Sequence, residues 1–135
     1  MKDPEQVAVL LEAAERDFSA LRAMGNNPDF ADEIFGFHAQ QAAEKSFKAW
    51  LALLGEGYPT THDLIRLLKM LIQHDENATR FKALGDYGPY AVQFRYITDP
   101  SARPLDRDAA VKHLEALLEH VRSMFADLRE AKDDQ

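Results

Sequence analysis

The sequence predicts an all-α fold, an up-and-down antiparallel bundle of four to five helices joined by short connections. Three observations predict it. Apolar residues recur at helical spacing along most of the chain. Nothing alternates with period two over a useful length, and no internal repeat is visible. Clusters of glycine, proline and asparagine separate the periodic stretches.

In the first helix Val7, Leu11, Ala14, Phe18 and Leu21 share one side, with Asp3 as N-cap and Pro4 in the opening turn. Gly25-Asn26-Asn27-Pro28-Asp29 stops it. A second helix is expected from about Ala31 to Leu54, ended by Gly55 and Gly57. Thr60 or Thr61 then caps a third, from about His62 to His74, with Leu64, Leu67, Leu68 and Leu71 inward. Gly85, Gly88 and Pro89 divide the next region into a short helix before Gly85 and another from Pro89 to about Arg95. After a loop with Pro100 and Pro104, Asp106 caps a last helix to about Glu130, whose buried stripe is Ala110, Leu114, Leu117, Val121 and Leu128, flanked by Leu118 and Phe125. Residues 1–130 read as one domain and 131–135 as a frayed tail.

Composition narrows the function. A chain of 135 residues holds one core, and 46% hydrophobic content is ample for it. The absence of cysteine removes disulfides, thiolate catalysis and cysteine-based metal sites. No signal-peptide pattern opens the chain and no apolar run is long enough to span a bilayer, so no membrane contact and a cytoplasmic location are expected. A net charge of −7 argues against nucleic-acid binding by bulk electrostatics, though not against a local basic patch. Phe81, Tyr87, Tyr90 and Phe94 read as exposed aromatics that so small a bundle does not bury alone, and a homodimer is expected on that ground.

The second helix carries the most information. At about 100° per residue Phe35, Ala39, Ala42, Ser46, Ala49 and Leu53 form one side, small enough in the middle for another helix to approach closely. Phe47 and Trp50 widen that arc. His38, Gln41, Lys45 and Lys48 form a polar stripe opposite. Two ammonium groups and an imidazole on one face suit a phosphate or nucleotide, or they are simply a solvated face with snorkelling lysines.

The block His38-x-x-Gln41-Ala42-Ala43-Glu44-Lys45-Ser46-x-Lys48 resembles the signature helix of HEPN domains. Thr61-His62-Asp63-Leu64 resembles the family's next helix start, and Arg95-Tyr96 stands where the family often has Arg-Tyr-Pro, with Ile97 in place of the proline. The likeness runs from about Glu5 to Leu128. It implies a helical bundle, commonly dimeric, and often paired with a minimal nucleotidyltransferase as toxin and antitoxin. It also implies a ligand site bordered by His38, Gln41, Lys45, Lys48, Arg95 and Tyr96, for a nucleotide-like or RNA ligand, with no cofactor and no metal.

Many members of the family are metal-independent RNases, in which an arginine and a histidine four to six positions later serve the scissile phosphate and its 2′-OH. Here Arg95 is followed by Tyr-Ile-Thr-Asp-Pro-Ser-Ala-Arg, with no histidine. Arg107 and His113 match that spacing inside the last helix, but six residues turn a helix by about 240°, which points the two side chains apart. His113 and His120 share a face yet lie about 10 Å apart, too far to hold one metal unaided. Three readings follow: a binding and assembly module, an RNase using Arg95 with His38 or His62 brought in by the fold, and a helical domain that only dimerises. The missing histidine and the acidic balance favour the first, and robust RNase activity is not expected.

Overall fold

A computed structural model of the chain describes residues 2–91 and 105–133. Four α-helices and one 3-10 stretch follow in order: α1 (Pro4–Met24), α2 (Asp32–Leu53), α3 (Leu64–His74), the 3-10 stretch (Glu76–Ala91) and α4 (Arg107–Asp133). No strand occurs among the described residues, so the fold is the all-α bundle that the periodicity predicts.

α1 forms as its sequence dictates. Asp3 accepts from the amides of Glu5 and Gln6, Pro4 takes the first position, and Gly25 ends the helix at φ +48°, where a side chain would be strained. Val7, Leu11, Ala14, Phe18 and Leu21 are all buried. α2 starts at Asp32 without a side-chain cap. A missing cap costs about 1 kcal/mol. That is small beside the burial of Phe35, Phe47 and Leu51, each worth about 1.5–3 kcal/mol. Packing, not capping, makes this helix, and α2 touches every other element.

The contacts also set the directions. Gln6 bonds the Tyr58 hydroxyl beyond the end of α2, while Asp17 reaches His38 and Lys45 further back, so α1 and α2 run antiparallel. Asn26–Asp108 at one end and Glu15–Arg122 further along place α4 antiparallel to α1. The connection after α2 carries the chain back along the helix, so that His62 meets Glu44 and the α3 C-cap Asp75 meets Trp50.

Three expectations change. α3 begins at Leu64, capped by Asp63 through the amides of Ile65 and Arg66, while Thr61 only accepts from the Asp63 amide. A carboxylate one residue from the helix outcompetes the threonine hydroxyls before it. The stretch expected to break at Gly85 is instead two 3-10 segments that meet at a kink at Phe81 (φ −109°, ψ 16°). Gly85 is there for closeness: a Cβ would lie 3.3 Å from Ile65 Cγ1 and 3.5 Å from Leu68 Cδ1. The expected continuation from Pro89 to Arg95 lies within the described residues only as far as Ala91. Finally, Phe81, Tyr87 and Tyr90 are buried within one chain and Phe94 lies outside the described residues, so exposed aromatics no longer argue for a dimer.

In α4, Asp106 accepts from the Ala109 amide, and Ala110, Leu114, Leu117, Leu118 and Val121 are buried. Leu128 and Phe125 are only partly covered, and the helix continues to Asp133, three residues past its expected end.

Tyr90 packs directly on α2 at Gly36. A Cβ at Gly36 would lie 2.3–2.6 Å from three atoms of the Tyr90 ring. In an open helix Gly→Ala gains about 1 kcal/mol. Here the ring must move, and Gly36→Ala is expected to destabilise by about 1–3 kcal/mol in urea unfolding.

Trp50 is the hub of the other end. Its ring lies 4.5 Å from His120 and 5.7 Å from Phe81, and its Nε1 donates to Asp75 at 3.1 Å. His120 Nε2 is buried with no hydrogen-bond partner. Burial lowers the His120 pKa below 6.5, Arg80 adds to the shift and Asp75 opposes it. The unfolded chain therefore takes up this proton first as the pH falls. The histidine's contribution is fully present above pH 6.5 and is lost progressively below it. His120→Phe is expected to flatten the fall in stability below pH 6.5, measured by denaturant titrations across that range.

Candidate functional site

The polar stripe of α2 divides into two wings. On the α1 side, Asp17 accepts from Lys45 Nζ at 2.6 Å and pairs with His38 Nδ1 at 2.9 Å, so one carboxylate from a neighbouring helix serves both residues. The His38 ring also meets Phe37 edge-on.

The other wing is built around Glu44, whose side chain is only 5% exposed. Glu44 Oε1 receives Gln40 Nε2 at 3.0 Å and His62 Nδ1 at 2.7 Å, and Oε2 receives Lys48 Nζ at 3.1 Å. Gln40 Nε2 also donates to the His62 carbonyl, and Gln41 donates to Gln40 Oε1. Gln40, Glu44 and Lys48 stand one turn apart on the same helix, which is why local sequence can assemble them. Lys48 lies 5.9 Å from the Tyr58 ring, and its side chain is 12% exposed.

Burial disfavours the charged form of Glu44, yet the bonds from Gln40, His62 and Lys48 outweigh it and hold its pKa below the ordinary carboxylate value. Glu44 is therefore ionised and can only accept. It follows that His62 carries its proton on Nδ1 and turns Nε2 outward, on a side chain 71% exposed.

The structure thus brings His38, Gln41, Lys45 and Lys48 along one face and adds His62 beside Lys48 through Glu44. Arg95 and Tyr96 lie outside the described residues. Asp17, Gln40 and Glu44 are the residues that the stripe's spacing did not single out. Glu44 was visible within the motif block and at i, i+4 spacing from Gln40 and Lys48, but Asp17 comes from another helix and leaves no periodic signal. One turn before His38, on the same side of α2, Ile34 is 43% exposed, and Phe30, in the turn that leads into α2, is 39% exposed.

The remaining histidines stay apart. His74 ends α3, 3.8 Å from Glu56, and His113 is exposed on α4 while the His120 ring packs at a tilt against Trp50. Arg107, the other half of the coincidental Arg–His spacing, is buried and bonded to Asp32 and to the carbonyls of Gly25, Asn27 and Phe30. It is a structural clamp. Among the described residues no three His, Asp or Glu side chains gather as metal ligands, and no helix is long and apolar enough to cross a membrane.

Comparison with curated proteins and with solved structures finds no match. The family model described as HEPN domain matches residues 7–124, most of the chain and all of both wings. The chain belongs to the HEPN domain family.

Proposed function

We propose that this HEPN-domain protein is a binding and assembly module, the partner of a minimal nucleotidyltransferase in a toxin–antitoxin-like pair, with homodimerisation resting on the family likeness alone. The observation that carries this reading is the pairing of the stripe's cations. Lys45 is neutralised by Asp17 and Lys48 by Glu44, so a phosphate arriving there must displace a carboxylate already at hydrogen-bond distance. A nucleotide-like ligand at His38, Gln41, Lys45 and Lys48, bordered by Arg95 and Tyr96, is disfavoured by that competition. A protein partner is not, because the exposed Ile34, one turn before His38 on α2, and the exposed Phe30 in the turn before α2 offer it apolar contact.

Co-expression with a minimal nucleotidyltransferase encoded beside the gene, followed by light scattering, tests the reading. A co-eluting complex is expected, weakened when Phe30 and Ile34 are changed to glutamate. A protein that elutes alone yet binds ATP or RNA at micromolar concentration overturns it.

One observation favours the metal-independent RNase as second reading. His62 is exposed and oriented by an ionised carboxylate, as a general base requires, and Arg95 is the cation that would accompany it. Incubation with single-stranded and structured RNA without metal is expected to show no robust cleavage. Cleavage lost in both Arg95→Ala and His62→Ala would establish the nuclease instead.

A further inference from the structure

His62 is held in a way that an exposed side chain does not need for stability. Its ring is bonded at Nδ1 by Glu44 at 2.7 Å, and its backbone carbonyl is bonded separately by Gln40 at 3.1 Å. The carbonyl bond alone ties the connection before α3 to α2. The second bond fixes the ring, and it fixes one tautomer, with the proton on Nδ1 and the lone pair of Nε2 turned to solvent. Glu44 is in turn steadied by Gln40 and by Lys48 at 3.1 Å. Burying a carboxylate to orient an exposed imidazole costs desolvation, and the result is a nucleophilic nitrogen kept ready on the surface.

We propose that His62 is a phosphoryl-acceptor site, modified at Nε2 by an energy-rich phosphoryl donor of the phosphoramidate or acyl-phosphate class. The Nε2 lone pair attacks phosphorus, and the Nε2–P bond forms as the bond between phosphorus and the donor's leaving atom breaks. With phosphoramidate the electron pair of the P–N bond leaves on nitrogen, which departs as ammonia. No oxidant or reductant takes part. The product ring bears phosphoryl on Nε2 and a proton on Nδ1, and the positive charge it gains is offset by the Glu44 carboxylate already bonded there. The phosphoryl group adds negative charge on the solvent side of the ring, opposite the Glu44 contact. Modification thereby changes the charge of one wing of the α2 face. This inference is independent of the partner reading and can fail without it.

The test uses the unmodified 135-residue chain and potassium phosphoramidate at neutral pH. Peptide mass spectrometry follows addition of HPO3 at each histidine, and phosphorus NMR distinguishes Nε2 from Nδ1 products. His113 and His74, exposed on the same chain, are internal references. His62 is expected to react about tenfold faster than His113, at Nε2, and Glu44→Gln is expected to remove that advantage while leaving His113 unchanged. Reaction of His62 no faster than His113, substitution at Nδ1, or an undiminished rate in a folded Glu44→Gln protein would each overturn the proposal. Should the variant fail to fold, the comparison of His62 with His113 in the native chain still decides.

Discussion

Arg107→Ala is expected to lower the unfolding free energy by about 3–5 kcal/mol, read from urea titrations followed by circular dichroism. The guanidinium is buried at the start of α4 and lies 5.0 Å from the Phe35 ring centroid. It donates to Asp32 Oδ1 through Nε and Nη2, to the carbonyls of Gly25 and Asn27 through Nη1, and to that of Phe30 through Nη2. Those carbonyls belong to the turn between α1 and α2, which has no regular structure of its own to satisfy them. Truncation therefore strands several acceptors at once and opens a cavity beside Phe35. Arg107→Lys is expected to recover little, because a single ammonium cannot reproduce a planar fork aimed at four residues. A loss under 1 kcal/mol in the alanine variant would mean that the turn is held by other contacts.

Arg107 also shows where sequence reasoning stops. Read along the chain, it is one half of a spacing match with His113, and periodicity places it only at the start of a helix. Its role depends on residues 75 to 82 positions earlier, a relation that no local pattern encodes. The same holds for Asp17, which determines that Lys45 and His38 are paired rather than free. What periodicity does encode is the inward stripe of each long helix, since burial on one side is a property of the helix itself. Asp3, Gly25 and Asp106 were readable for the same reason, being local solutions to local backbone needs. Between α3 and α4 the local signals misled. Glycine and proline suggested breaks at Gly85 and Gly88, whereas the kink falls at Phe81, and Phe81, Tyr87 and Tyr90 are buried, Tyr90 against Gly36. A glycine inside an amphipathic helix, as at Gly36, was itself a signal of close packing.

Glu44→Ala is expected to cost about 2–3 kcal/mol. The full penalty for breaking a buried pair is larger. It is reduced here because His62 is mostly exposed and Lys48 retains a path to water beside Tyr58. Gln40 has no such escape, being fully buried, and its amide keeps only the His62 carbonyl as acceptor. Changing Glu44 and Lys48 together to leucine and methionine is expected to recover most of the loss, since neither charge is then left unpaired. The pH dependence follows from the direction of the Glu44 shift. Its pKa in the folded chain lies below the ordinary carboxylate value of 4.5, so the unfolded chain binds this proton first on acidification. The stability it contributes is fully present above pH 4.5 and is lost as the pH falls towards its folded value. Glu44→Gln should therefore be less stable than the native chain at pH 7 and approach it in strong acid. A constant difference between the two across that range would show that Glu44 is not the ionised centre of the wing, and it would remove the reason for His62 to keep its proton on Nδ1.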